Sequence, residues 1–311
     1  MKINSLNHIS SINKNIIQKS YMNNVNNDVF VRSEQVSFGR KKKSRADLIK
    51  DFAKDVKKYY FDVPFDKNAI EKLIQKDVKD VTVKDFSERD RSIYWPDDFM
   101  GLYTEEVCFD DEKEVFLSGK KTLYLKNPNE GEYSKLAYYA NCVHEYTHLM
   151  QSQDDEFSEI VALNKFYKNS KASSEVKDRT VTLAPQYFID VEKSVKKPIF
   201  DSVNNPILLS KYLNKKPSVT EIYKDNGIDN IKKFASDIMD KKAKEYSKKY
   251  GEIDASILKG ISILHFKKEN EAYQADYDTQ KKVDPSIYKS TLEWDKLAKI
   301  QLYRILSDLK V

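Results

Sequence analysis

The sequence feature that most constrains this chain is the pentapeptide His144-Glu145-Tyr146-Thr147-His148, which lies in a segment with helical periodicity. Apolar and small residues recur around it at three- and four-residue spacing, and Ser134 is a suitable N-cap upstream. Two histidines four residues apart project from one face of a helix, because four residues make slightly more than one turn. Imidazoles in that arrangement can bind one metal ion. The pattern therefore predicts a helix that contributes two ligands, His144 and His148, to a metal site.

Glu145 follows the first histidine and projects about a hundred degrees further around the predicted helix. From there its carboxylate can reach a metal-bound water without itself binding the metal. Zinc lowers the pKa of such a water toward neutrality, and a nearby carboxylate can accept its proton as general base. The pentapeptide therefore predicts hydrolytic chemistry, with Glu145 as the catalytic residue and one Zn²⁺ ion as the cofactor.

The residues from His144 to Gln151 have the form H-E-x-x-H-x-x-Q. This form resembles the zincin metallopeptidases, and within them several uncharacterised bacterial gluzincin families. The resemblance covers roughly residues 101–151 and again a later helix over 255–282. The longer metzincin form is excluded, because the required glycine and third histidine are missing after the pentapeptide. The resemblance implies a zincin-like domain that hydrolyses peptide bonds by Glu145-activated, metal-bound water, with a glutamate from the later helix as third zinc ligand.

Two glutamates of the later helix are candidates for the third ligand. In the Glu-x-x-Ala form, which is similar to the CAAX prenyl protease and ImmA/IrrE families, Glu269 is the ligand and Ala272 is the small residue that lets the two helices approach. In the Asn-Glu-Ala form, which is similar to thermolysin, Glu271 is the ligand. Helix geometry favours Glu269, which shares a stripe of the helix with Ala272 and Asp276. Glu271 remains the alternative.

Three further residues of the same helix are candidates for supporting roles. His265 and Asp276 lie on the stripe of Glu269, where either could orient a ligand histidine through its other ring nitrogen. Tyr273 could stabilise the oxyanion of a tetrahedral intermediate. The remaining histidine, His8, lies in the N-terminal segment and is a poor candidate ligand.

The composition favours a mainly helical α+β fold. One third of the residues are charged, and only 7 are glycine, as in helical proteins with few tight turns. Short runs of aromatic and β-branched residues at 101–104, 107–109, 115–117 and 122–125 read as strands. We therefore expect a small antiparallel sheet next to the pentapeptide helix. Helical patterns follow, with breaks expected at Pro185, Pro198, Pro206, Pro217 and Gly227. Asp254 can then cap another long helix, from Ala255 to about Lys282.

The first 45 residues differ in composition from the rest. They are rich in Asn, Ser and Lys and end in the basic run Arg40-Lys41-Lys42-Lys43-Ser44-Arg45. Such segments are typically disordered, and a short basic run is usually a solvated tail. We expect residues 1–45 to form a disordered leader and residues 46–311 to form one zincin-like domain with a helical insertion at about 170–250.

Charge and hydropathy limit the partners. The chain has 54 basic and 49 acidic residues, a net charge of +5, which is too weak an excess to indicate nucleic acid. No run approaches the roughly 18 apolar residues of a membrane span, and no signal peptide is recognisable. Two cysteines, Cys108 and Cys142, are too few for a disulfide framework. The expected protein is a cytoplasmic monomer that acts on a peptide or protein substrate; export by a non-classical route is compatible with the same features.

Two other functions fit the same residues. The chain could be a regulatory or effector protein that uses a zincin fold for one partner, or a zinc-stabilised binding module without catalysis. Replacement of Glu145 by Gln distinguishes them from a peptidase, because metal binding should persist in all three whereas hydrolysis is lost only in the peptidase.

Overall fold

The computed structural model describes residues 43–89, 100–110, 112–131, 133–204, 225–285 and 291–310. Its helices are α1 (Arg45–Val56), α2 (Lys58–Phe61), α3 (Lys67–Ile74), α4 (Lys135–Ser152), α5 (Glu159–Asn169), α6 (Ser174–Asn204), α7 (Asp225–Tyr250), α8 (Ala255–Val283) and α9 (Thr291–Ser307). Its strands are β1 (Val81–Asp85), β2 (Gly101–Asp110) and β3 (Val115–Leu125). The protein is thus mainly helical with one small sheet, which confirms the α+β class.

The sheet is mixed, so the prediction of an antiparallel sheet was wrong in part. Its strand order is β1-β3-β2. β2 and β3 form the expected antiparallel pair, into which the four predicted short segments merge. β1 was not predicted, and it pairs with β3 in parallel. A parallel pair requires a long connection between its strands. The five residues of β1 therefore do not indicate that β1 pairs with β3, whose residues lie forty positions later in the sequence.

Capping side chains begin the helices that matter for the site, as predicted. The Ser134 hydroxyl accepts a hydrogen bond from the Ala137 amide at 3.2 Å and begins α4. The Asp254 carboxylate accepts one from the Ser256 amide at 3.0 Å and begins α8. Each bond satisfies an amide that has no partner within the helix. The two predicted helix starts are confirmed.

Residues 43–45, the last three of the predicted leader, are described by the structure and contact the first helix. Ser44 caps α1 by accepting a hydrogen bond from the Asp47 amide at 3.2 Å, and Arg45 is the first residue of that helix. Lys43 forms an ion pair with Asp51. The last three residues of the predicted leader therefore belong to the folded domain, whereas residues 1–42 lie outside the described part of the chain.

Helix α6 contradicts two of the predicted breaks, because it runs continuously through Pro185 and Pro198. A proline inside a helix removes one hydrogen bond and costs about 3 kcal/mol. Around Pro185 the helix buries Ala184, Tyr187 and Val191 in the core, and packing of this kind outweighs local propensity. Gly227 likewise lies within α7. Pro206 and Pro217 lie outside the described residues.

Two apolar cores flank the pentapeptide helix. The first combines α1, α2, α3, β1 and β3 with the inner face of α4. The second combines α5 to α9 with the Phe116 end of β3. Gly260 brings α5 and α8 of the second core close together, since a Cβ there would lie 2.2 Å from a ring carbon of Phe166. Helices α4 and α8 pack against each other, so the pentapeptide meets α8 where the two cores adjoin.

Cys108 and Cys142 are both free thiols, which agrees with the expectation of no disulfide framework. Among the residues that the structure describes, no helix is long and apolar enough to cross a membrane.

Candidate metal centre

The α4 helix presents both pentapeptide histidines on the face that meets α8. The Nε2 atoms of His144 and His148 lie 3.1 Å apart, as expected for side chains one helical turn apart. Both rings are buried. Two imidazole nitrogens therefore point at one small space between α4 and α8.

Glu269, from α8, points at the same space. Its Oε2 lies 3.6 Å from His144 Nε2, and its Oε1 lies 3.3 Å from His148 Nε2. The ligand atoms of the three residues all lie within 4.8 Å of one another. In a tetrahedral zinc site with Zn–N bonds of about 2.0–2.1 Å, neighbouring ligand atoms are about 3.3 Å apart. His144, His148 and Glu269 could therefore hold a metal ion, and the spacing of their donor atoms fits one of zinc's size.

His144 and Glu269 shift each other's pKa in the directions expected of an ion pair. Burial alone would lower the pKa of His144, but the hydrogen bond and charge of Glu269 raise it to about 9. Burial alone would raise the pKa of Glu269, but the charges and hydrogen bonds of His148 and His144 hold it well below its usual 4.5. A metal ion that bound here would compete with the proton that the raised pKa of His144 favours.

The Gln151 side chain contacts the ring nitrogen of His148 that does not face Glu269. His148 Nδ1 lies 3.0 Å from Gln151 Oε1, and Gln151 is fully buried in α4, one turn after the histidine. A metal-binding histidine usually donates its second ring N–H to such an acceptor, which holds the ring in place. The sequence pattern alone indicated no role for Gln151, although its spacing of three residues from His148 places the two side chains on one face of the helix.

Glu271, the alternative third ligand, faces another way. Its carboxylate accepts hydrogen bonds from Gln151 Nε2 at 2.8 Å and from Arg45 Nη2 at 3.0 Å. Side chains two residues apart on a helix point about 200° apart, so Glu269 and Glu271 cannot both point at the two histidines. The structure brings Glu269 to the histidines and Glu271 to Gln151. Ala272 is fully buried next to them in sequence.

Glu145 lies beside the histidines and against strand β2. Its Oε2 accepts a hydrogen bond of 2.8 Å from the backbone amide of Tyr103, and its Oε1 lies 3.4 Å from Asn141 Nδ2. Gly101 makes this approach possible, because a Cβ there would lie 2.3 Å from Asn141 Oδ1 and 3.1 Å from Glu145 Cγ. The carboxylate is thus fixed by groups on β2 and α4, and it is not one of the three candidate metal ligands.

The three predicted supporting residues have different surroundings. Tyr273 packs edge-on against His144, with ring centroids 4.8 Å apart. Asp276 forms an ion pair of 2.9 Å with Lys296 and accepts a hydrogen bond from Gln280. His265 stacks on Phe188 and lies 3.6 Å from Glu159. Among these three described residues, Tyr273 is the one whose side chain contacts a candidate ligand. His8 lies outside the described residues.

No protein-family model, curated protein or solved structure matches this chain. Its function must therefore be inferred from the geometry of the site.

Proposed function

We propose that this protein is a zinc-dependent peptidase. The observation that carries the proposal is the convergence of His144, His148 and Glu269 with Glu145 beside them. Two imidazoles and one carboxylate are the donors of a common class of catalytic zinc site, which keeps a further position open. Calcium and magnesium prefer sites built from oxygen donors alone, so the two histidines favour zinc.

The proposed roles of the zinc ion and Glu145 follow from the positions of the side chains. When bound, zinc would supply a Lewis acid and lower the pKa of a water molecule at the site. Glu145 would accept the proton. Its Oε2 is engaged by the Tyr103 amide, whereas its Oε1 has only the long 3.4 Å contact with Asn141. Oε1 is therefore the oxygen available for proton transfer, and the Tyr103 amide holds the carboxylate against β2.

The position of β2 supports a peptide as substrate. β2 is at one edge of the sheet, and its first residues reach the catalytic carboxylate. An extended peptide can add to such an edge through main-chain hydrogen bonds. This arrangement would bring a scissile peptide group next to Glu145 without any requirement for a particular side chain.

The test compares hydrolysis with metal binding in the full chain. Zinc-loaded protein is incubated with an unfolded protein such as casein, and new termini are identified by mass spectrometry. We expect cleavage by the wild type, loss of at least about 100-fold for Glu145→Gln, and unchanged zinc content in that variant. Glu106→Gln, an exposed carboxylate of β2, is the matched control and should cleave normally.

Other outcomes have defined meanings. Zinc binding without hydrolysis of any unfolded substrate would favour the regulatory or binding-module alternatives. Cleavage that persists unchanged in Glu145→Gln would show that the activity belongs to a contaminant or to another site, and the proposal would be withdrawn.

A further inference from the structure

Arg45, the last residue of the basic run 40–45, is bound within the folded body. Its guanidinium lies 4.1 Å from the centre of the Phe157 ring and forms an ion pair with Asp154, both in the segment that follows α4. It also donates to Glu271 Oε1 of α8 through Nε at 3.2 Å and Nη2 at 3.0 Å. Only 19% of its side chain is exposed. Arg45 therefore joins the start of α1 to the end of α4 and to the helix that carries Glu269.

The groups that follow Arg45 lead directly to a candidate ligand. Glu271 Oε2 accepts from Gln151 Nε2 at 2.8 Å, and the Lys268 carbonyl accepts from the same nitrogen at 2.9 Å. A carboxylate and a carbonyl are acceptors only, so the Gln151 amide must turn its NH₂ toward them. Its Oε1 then faces His148 Nδ1, 3.0 Å away. That oxygen can only accept, so Nδ1 carries a proton, and the opposite ring nitrogen, Nε2, is the one that faces Glu269 and would bind a metal in its unprotonated form.

We propose that Arg45 is a positioning residue of the metal centre, which acts through Glu271 and Gln151 to hold His148 in its metal-binding tautomer and orientation. The inference rests on the proposed zinc site. An exposed ion pair would contribute little, but this guanidinium is mostly buried and its planar fork engages partners on two different segments. Loss of Arg45 would free Glu271 to turn toward solvent. The NH₂ group of Gln151 would then keep only the Lys268 carbonyl as a hydrogen-bond acceptor.

The experiment is a double-mutant cycle on zinc affinity in the full chain, measured by competition with a chromophoric chelator. Gln151→Ala should raise the zinc Kd by about 10- to 100-fold. Arg45→Ala should raise it by roughly 3- to 30-fold. In the Gln151→Ala background, Arg45→Ala should cause no further change, because residues that act through one path are not additive. Glu271→Ala should likewise raise the zinc Kd in the wild-type background and cause no further change in the Gln151→Ala background. Arg45→Lys should retain part of the zinc affinity that Arg45→Ala loses.

Lys43→Ala is the matched control, since Lys43 pairs with Asp51 at the same end of α1 and has no link to His148; it should bind zinc as the wild type does. Equal losses for Arg45→Ala with and without Gln151 would overturn the inference and assign Arg45 to general stability. Unchanged zinc affinity in both Arg45→Ala and Glu271→Ala would also overturn it. If the wild type bound no zinc, the proposed function itself would fail, which is a different result from either.

Discussion

The backbone amide of Tyr103 donates a 2.8 Å hydrogen bond to Oε2 of Glu145, across the contact between strand β2 and helix α4. One edge of the sheet thereby fixes the direction of the proposed general base. The two residues are far apart in sequence, and the close approach depends on Gly101, two positions before Tyr103 in β2.

Gly101→Ala should therefore impair catalysis more than metal binding. The new Cβ would lie 2.3 Å from Asn141 Oδ1 and 3.1 Å from both Glu145 Cγ and the Tyr124 carbonyl oxygen, so the base must move. We expect a loss of stability of about 1–3 kcal/mol from overpacking and a fall in peptidase activity of at least about 10-fold, because small misplacements of catalytic groups are costly. Zinc affinity should change little. Gly119→Ala, where the nearest contact would be 3.0 Å to Glu106 Cβ, is the control in the same sheet; equal activity losses in the two variants would contradict this account.

The two glutamates of α8 should differ in their effect on zinc. Glu269→Gln replaces an anionic oxygen that lies 3.3 Å from His148 Nε2, and should lower zinc affinity by roughly 100-fold or more. Glu271→Gln keeps an oxygen that can accept from Gln151 and Arg45, so its loss should stay within about 10-fold. Elemental analysis should find about one zinc per wild-type chain, and none in His144→Ala or His148→Ala. The reverse ranking of the glutamate variants would assign the third ligand to Glu271.

Acid stability should depend on Glu159, at the start of α5. Burial alone would raise its pKa, but His265 and Lys268 lower it from 4.5 to about 2. A carboxylate with a lowered folded-state pKa contributes stability above its unfolded value, and this contribution is lost as pH falls through the folded value. Glu159→Gln should therefore cost on the order of 1–3 kcal/mol near neutral pH, and the difference from the wild type should vanish between about pH 4.5 and 2. Urea unfolding at several pH values measures this, with the exposed Glu156→Gln as control; a difference that grew with acidity would have the wrong sign.

Two truncations should locate the true start of the domain. Removal of residues 1–42 should leave melting temperature and zinc affinity unchanged, because Lys43, Ser44 and Arg45 stay in place. Removal of residues 1–45 deletes the Ser44 cap, which is worth about 1 kcal/mol, together with Arg45 and its bonds to Glu271. The shorter chain should therefore melt lower and bind zinc more weakly. If the two truncated proteins had the same melting temperature and zinc affinity, the result would support the boundary at residue 46 that the composition predicts.

Local sequence was sufficient where local interactions decide the structure. Ser134 and Asp254 begin α4 and α8 as predicted, because a capping side chain acts within its own first turn. The spacing of His144 and His148 placed both rings on one face for the same reason. Packing overrode local propensity in α6, where buried neighbours of Pro185 keep the helix continuous.

The sequence by itself determined that His144, His148 and the proposed general base, Glu145, share one helix, since their spacing along the chain fixes their positions around it. It could not choose between Glu269 and Glu271, because both fit a known pattern and only the rotation of α8 against α4 decides which one faces the histidines. It also could not predict that Arg45 contacts Glu271 or that Tyr103 contacts Glu145, because these contacts join segments far apart in the chain. Such contacts are selected by the packing of whole elements against two cores, and no local pattern of residues records that packing.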